Sequence, residues 1–442
     1  MNERLLMAFY GDDFTGSTDA MEALYQYGLR TILFLEAPNV EEITSFGKVD
    51  CIGVAGTARS MNNKEMTNEL TPIFKSFKEM NPEFVHYKVC STFDSSPEIG
   101  SIGLATDIGA EIFNQTSVPI LVGAPTLGRY TAFGHHFAKF GKEVFRLDRH
   151  PVMSKHPITP MHESDLVEHM TKQTSYSVSN YSVNNIEDAP ENYDIPENNY
   201  VVYDAVQKEH VTYYGNLLKN NITEKESLFT VGSSGIEYAL GDVTDIDEYS
   251  DQQESHLKPQ PTDKMLVISG SVSEVTNIQL QNAEKEGFTS IRVPVELLGK
   301  NELPIDFLSE VITHIENDNK VILFTSRGPD DPTIDETRKH LKSIGVNSHI
   351  GNYIAECLGQ WIKYIMDNTT ITRLVIAGGD TSGYVTSQLG IYAMEVISSI
   401  APGAPLCLAY SNDERFNHIE LALKSGQLGG EDYYKNVFQS GE

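Results

Sequence analysis

The chain has 442 residues, 40% of them hydrophobic and 21% charged, a balance typical of a globular protein with two or three domains. Its formal net charge of -29 argues against nucleic acid and anionic membrane as partners. No apolar run approaches the roughly 20 residues that span a bilayer, and the opening MNERLLMAFYG carries no signal-peptide pattern, so a cytoplasmic location is expected.

The chain opens with a buried strand, Leu5 to Tyr10, a turn at Gly11 and the adjacent carboxylates Asp12 and Asp13. Helical spacing follows, with Ala20, Ala23, Leu24 and Tyr27 on one face and Gly28 as a stop. In an open α/β sheet, ligands bind beyond the carboxyl ends of the strands. One acidic side chain there would cap the helix; two exceed what a cap needs, so Asp12 and Asp13 are candidate catalytic groups.

RTILFLEAP and KVDCIGVAGTARS give the second and third strands, which predicts a mainly parallel sheet with helices on both faces. Arg59, just past the third strand, is either a solvated loop residue or a bidentate clamp for a carboxylate. A helix is predicted over 63–80. The strand FVHYKVCSTF then delivers Lys88, Ser91, Thr92 and Asp94 to the same edge of the sheet. After VPILVGAPT come a glycine turn, Arg129 and the pair His135-His136, which point apart in helix or strand and so do not make a metal pair. HPVMSKHPITPMHESDL reads as an irregular loop beside the site, and 171–200 as a sparse surface region around one weak strand. The four cysteines, Cys51, Cys90, Cys357 and Cys407, show no metal-binding spacing and read as reduced thiols.

Between Asp242 and Lys264 the composition turns acidic and polar, with two prolines. This predicts a domain over 1–241, a linker over 242–263 and a second domain over 264–442. The second domain also opens with a strand, KMLVISG, and a turn of small residues. Gly270, Ser271, Ser273 and Thr276 lie where backbone N–H groups and hydroxyls at a helix start can receive phosphate oxygens. Near the end, TRLVIAGGDTSGYVTSQLGI runs a buried strand into Gly378, Gly379, Asp380, Thr381 and Ser382. Its glycines permit close backbone approach, and Asp380 is placed to reach a magnesium ion or a ribose. The pattern is neither a P-loop nor GxGxxG. Lys424, in LALKSGQLGG, is a further candidate phosphate contact. Taken together, these features suggest phosphoryl transfer to a small acid, one domain holding the donor and the other the acceptor, with the site in a cleft between two α/β domains.

The ordered motifs also resemble those of a known family. GDDFTGSTDA resembles the (A/G)DDxTGxxD opening of the four-carbon acid sugar kinases, and KVCSTFDSS the CSTFDS stretch of its 3-oxo-tetronate kinase branch. GRYTAFGHHF, HPITPM, FTVGSSG, SGSVSEVTNIQ, AGGDTSGYVTSQLGI, PGAPLCLA and LALKSGQLGG match further family segments in order. The resemblance implies a sugar-acid-binding domain followed by a nucleotide-binding domain, and ATP-dependent phosphorylation of a terminal hydroxyl with Mg2+. It places Asp12, Asp13, Arg59, Ser91 and Arg129 in the acid-sugar site, and Ser271, Gly378, Gly379, Asp380, Thr381 and Gly403 in the ATP site. Asp380 stands where the family usually has Glu, Val272 where Cys is common, and PGAPL where PGVPW is usual. CSTFDS in place of DSTLRGN favours an oxidised substrate, 3-oxo-tetronate or 3-oxo-isoapionate, over threonate or erythronate. Outside kinases, the alternatives are a magnesium-dependent sugar-phosphate hydrolase and a non-catalytic sugar-acid sensor. The oligomeric state is left open, a homodimer included.

Overall fold

The computed structural model describes residues 4–156, 158–245, 249, 257–299, 302–347 and 350–442; the side chain of Asp380 also lies outside the described part. Two compact units divide the chain, Met1–Gln253 and Glu254–Glu442. Part of the interval predicted as a linker, 246–248 and 250–256, lies outside the described residues.

The N-terminal unit is built on the strands β1 (Met7–Gly11), β2 (Thr31–Phe34), β3 (Cys51–Ala55), β4 (Phe84–Lys88), β5 (Val118–Leu121), β9 (Val178–Tyr181), β10 (Tyr200–Tyr203) and β11 (Leu228–Gly232). They lie in the order β2-β3-β1-β4-β11-β5-β10-β9, every neighbouring pair parallel. The central strands are buried along their whole length, as apolar runs in parallel sheets are. The helix predicted over 63–80 forms as Asn63–Met80. Asn62 and Glu65 close a capping box at its start. The GRYTAFGHHF segment instead forms a separate antiparallel sheet of β6 (Arg129–Ala132), β7 (His135–Phe140) and β8 (Glu143–Arg146).

The C-terminal unit carries β12 (Met265–Ser269), β13 (Thr289–Arg292), β14 (Lys320–Phe324), β15 (Arg373–Ala377), β16 (Ile391–Ser398), β17 (Leu406–Ser411) and β18 (Glu420–Lys424). Their order is β13-β14-β12-β15-β18-β17-β16, parallel as far as β18 and antiparallel beyond it. Its core runs from Met265 and Val267 through Val375 to Tyr433 and Tyr434. Both units are thus α/β, with mainly parallel sheets flanked by helices. All four cysteines carry free thiols. Among the described residues, no helix is long and apolar enough to cross a membrane.

Candidate active site

Strand register assembles the first cluster. Ala55, Gly11, Lys88 and Gly232 stand side by side at the carboxyl ends of β3, β1, β4 and β11. The residues just past these ends therefore meet, although up to 222 positions separate Asp12 from Ser234. Gly11 is required here: a Cβ would fall 1.9 Å from Ser17 Oγ on the helix Phe14–Gln26.

The two adjacent carboxylates divide their roles. Asp13 caps the helix, Oδ1 accepting from the Gly16 N–H at 2.6 Å, and its Oδ2 pairs with Arg59 Nη2 at 2.7 Å. Asp12 is almost wholly buried, and its backbone is fixed on both sides: its N–H donates to Lys88 O at 2.8 Å and its carbonyl accepts from Arg59 N–H at 3.0 Å. Asp12 Oδ1 has no hydrogen-bond partner among the described residues. Burial first, and then the neighbouring charge of Asp13, push its carboxyl up to about 7, against the pull of Arg59 and Lys88. A carboxyl with these properties can hold and release a proton near neutral pH.

Around this pair lies a buried charged network. Lys88 is buried, and its Nζ lies 3.7 Å from Asp19 Oδ2. Burial alone would lower the Lys88 pKa, but Asp19 and Asp13 together hold it above its ordinary value. Asp19 in turn accepts a hydrogen bond from Ser234 Oγ. Thr92 Oγ1 donates to Asp94 Oδ1 at 2.7 Å, and Asp94 Oδ2 lies 4.0 Å from Arg59 Nε. Arg129 donates from Nε to Ser91 Oγ at 3.2 Å and from Nη1 to the carbonyls of Leu127, Gly128 and Lys139. The two histidines point apart: His135 bonds Ser164, while His136 Nε2 reaches Ser91 O at 2.9 Å. Burial pushes His136 down to about 4, so it is a neutral ring that fixes the Ser91 loop. Asp12, Asp13, Arg59, Lys88, Ser91, Thr92 and Arg129 are thus interlinked at one edge of the sheet.

The C-terminal unit repeats the device. Ser269, Ala377 and Lys424 stand level at the ends of β12, β15 and β18. Ser273 caps the helix Glu274–Lys285, accepting from Thr276 N–H at 3.1 Å. The hydroxyls of Ser271, Ser273 and Thr276 share one network with the Gly426 carbonyl. Gly270 has no room for a side chain, because a Cβ would sit 2.3 Å from Thr381 Oγ1. Gly378, at φ 134°, holds a conformation that side chains rarely adopt, and its N–H donates to Lys424 O at 3.0 Å. Gly379, the next residue, faces open space on the first turn of the helix Gly379–Gln388. Gly403, at φ 71°, belongs to the turn joining β16 to β17, and Leu406 beyond it pairs with Ala422 on β18. The Asp380 side chain, expected to hold a metal, lies outside the described part. Among the described residues, no group of three or more His, Cys, Asp or Glu gathers to hold a metal ion.

Asp19 and Ser234 escaped the reading of the sequence as site residues. Asp19 closes the DDFTGSTD motif and Ser234 lies in GSSG, so both stood within quoted segments; only the fold joins them.

Comparison with known proteins matches residues 7–240 to a family described as a sugar-binding N-terminal domain, and residues 266–434 to a nucleotide-binding C-terminal domain. The chain is 36% identical over 443 residues to a 3-oxo-isoapionate kinase of Paraburkholderia graminis, covering 98% of this chain and 94% of the relative. The chain belongs to the four-carbon acid sugar kinase family. A second acid sugar kinase, the 3-oxo-tetronate kinase of Cupriavidus necator, is 26% identical over 471 residues, covering 99% of this chain and 97% of its own. The fold of this chain recurs in crystal structures of proteins from Salmonella typhimurium (TM-score 0.78, 23% identity, 98% of each chain) and Haemophilus influenzae (TM-score 0.71, 24% identity, 97% of this chain and 98% of that one).

Proposed function

We propose that this protein is an ATP-dependent kinase that phosphorylates the terminal 4-hydroxyl of a small oxidised acid sugar, 3-oxo-isoapionate or 3-oxo-tetronate. The observation that carries the reading is the buried Asp12 carboxyl, with one oxygen unpartnered among the described residues, beside the Asp13–Arg59 pair. The identity to a 3-oxo-isoapionate kinase along nearly the whole chain supports the substrate class.

In this reading residues 1–241 bind the acid sugar and 264–442 the nucleotide. Asp12 takes the proton of the acceptor hydroxyl as its oxygen attacks the γ-phosphorus, and ADP leaves with the bonding electron pair. Asp13 keeps Arg59 charged and oriented, and Arg59, with Arg129 and the Ser91–Thr92 loop, faces the substrate carboxylate. The C-terminal turns suit a polyphosphate: Gly270 lets the turn after β12 pass close to Thr381, Gly378 holds a backbone conformation that side chains rarely adopt, and the serine and threonine hydroxyls cluster at a helix start. Magnesium, neutralising charge on the nucleotide phosphates, would be held by those phosphates and Asp380, as such ions are held by one or two carboxylates plus phosphate. The protein acts in the cytoplasm, and a homodimer is compatible with this role.

The test is an ADP-release assay with magnesium and ATP over threonate, erythronate, their 3-oxo forms and 3-oxo-isoapionate. Turnover confined to the 3-oxo acids is expected. Turnover of threonate or erythronate alone would move the substrate to the unoxidised acids, and silence across the panel without ATP binding would overturn the kinase reading. Release of phosphate from sugar phosphates would mark a hydrolase, and binding of an acid without turnover a sensor.

A further inference from the structure

Lys424 is fully buried at the end of β18. An ammonium offers three donors, yet its one hydrogen-bond partner among the described residues is the Thr276 hydroxyl, at 3.2 Å. It stands at the start of the 12-residue helix Glu274–Lys285, where free N–H groups favour an anion. A buried cation without a counter-ion is costly, and a protein retains one where a ligand supplies the charge.

Among the described residues the surroundings supply none. Glu274, on the helix, is exposed. On β15 and β18, Arg373 and Glu420 lie at the far ends of the strands and pair with each other at 2.5 Å. On β17 the titratable groups are the buried thiol of Cys407 and the phenol of Tyr410, which donates to Glu395, and on the helix Gly379–Gln388 they are Tyr384 and Asp380, the side chain of Asp380 lying outside the described part. β12 and the segment 270–273 contribute hydroxyls only. Burial pushes Lys424 down to about 7.

We propose that Lys424 is the cation that receives a phosphate of the bound nucleotide, and that it takes up a proton from solvent as the phosphate arrives. The inference deepens the nucleotide reading of this unit and rests on it. Its chemistry is simple: the neutral amine gains a proton, the phosphate dianion becomes the counter-ion, and the two remaining N–H donors find acceptors. Nucleotide affinity then rises as pH falls toward neutrality.

Isothermal titration calorimetry with MgADP in buffers of different ionisation enthalpy counts the protons exchanged, magnesium keeping the β-phosphate deprotonated. At pH 7.5 about three-quarters of a proton is taken up per nucleotide, the neutral fraction of a lysine poised near 7. In Lys424→Met the uptake vanishes and affinity falls at least about tenfold; in Lys424→Arg it vanishes while affinity persists. Where neither variant folds, the wild-type count decides, rising between pH 6.5 and pH 8. Wild-type binding with no uptake, or uptake that persists in both variants, overturns this proposal and leaves the nucleotide reading standing. Failure of the wild type to bind MgADP overturns both.

Discussion

Arg59 Nη2 lies 2.7 Å from Asp13 Oδ2, and this ion pair separates the chemistry of two carboxylates that are neighbours in sequence. Asp13 spends one oxygen on the helix cap and the other on Arg59, so both of its oxygens are held. Asp12, turned inward by the same bend, keeps an oxygen without a described partner. The residue that looks redundant in DDFTG is the one that holds the cation, and its neighbour keeps the free oxygen that the proposed proton transfer needs.

Asp12→Asn therefore removes turnover with little effect on nucleotide binding. Loss of a general base costs about 10²–10⁴-fold in rate, and the amide fits the space of the carboxylate. Steady-state kinetics and MgADP titration on the same preparation check it. Turnover within threefold of wild type would remove Asp12 from the role of base.

The pH dependence follows from the same group with a definite sign. The Asp12 carboxyl, raised to about 7, must lose its proton to act, so kcat/KM falls about tenfold per pH unit below that value. Its folded-state pKa lies above the unfolded value near 4, so the native state binds the proton more tightly. Stability accordingly falls as pH rises from about 4 to about 7. Asp12→Asn abolishes this loss and raises Tm at pH 8, by the equivalent of at least about 1 kcal/mol, while leaving the melt near pH 4 close to wild type. A variant Tm gain that is the same at both pH values would show that the buried charge is not its source.

The motif-bearing turns were legible because apolar strands end abruptly in Gly, Asp, Ser and Thr, and local propensity and period agree there. GDDFTG, KVCSTFDSS, SGSVSE and AGGDTSG all proved to lie at carboxyl ends of parallel strands. Pairings that depend on register were not legible. Nothing local in Asp19 announces that Ser234 will donate to it, since that contact exists only because Gly11, Lys88 and Gly232 stand level across three strands. The antiparallel sheet of GRYTAFGHHF was equally hidden. Its residues alternate weakly, and Gly134, at φ 77°, makes a tight turn that the sequence alone left as helix or strand. The antiparallel strands β16 and β17, closing the C-terminal sheet, were not foreseen either.

Lys88 is expected to matter more for stability than its sheltered position suggests. Lys88→Met leaves Asp19 buried with only Ser234 to hold it, and breaking a buried pair from one side costs about 3–5 kcal/mol. The double variant Lys88→Met/Asp19→Asn should recover more than half of that loss, because the orphaned charge is gone. Chemical denaturation of the wild type, the two single variants Lys88→Met and Asp19→Asn, and the double variant closes the cycle. Additive losses would mean that the two side chains, 3.7 Å apart, do not interact in solution.

Gly270→Ala probes the nucleotide turn without touching a polar group. The new methyl would lie 2.3 Å from Thr381 Oγ1, and Thr381 is itself buried, so the first turn of the helix Gly379–Gln388 must give way. That helix start and the Ser271–Thr276 network converge on the proposed phosphate site from two strands, β15 and β12. A shift of a few tenths of an ångström between them spoils donors that need 2.7–3.2 Å to work. The expected outcome is a rise of at least about tenfold in KM for ATP, with KM for the acid sugar and kcat at saturating ATP changed far less. The contrast between the two substrates carries the information: a fold-wide disturbance would move both Michaelis constants together, whereas a nucleotide site in the C-terminal unit confines the change to ATP.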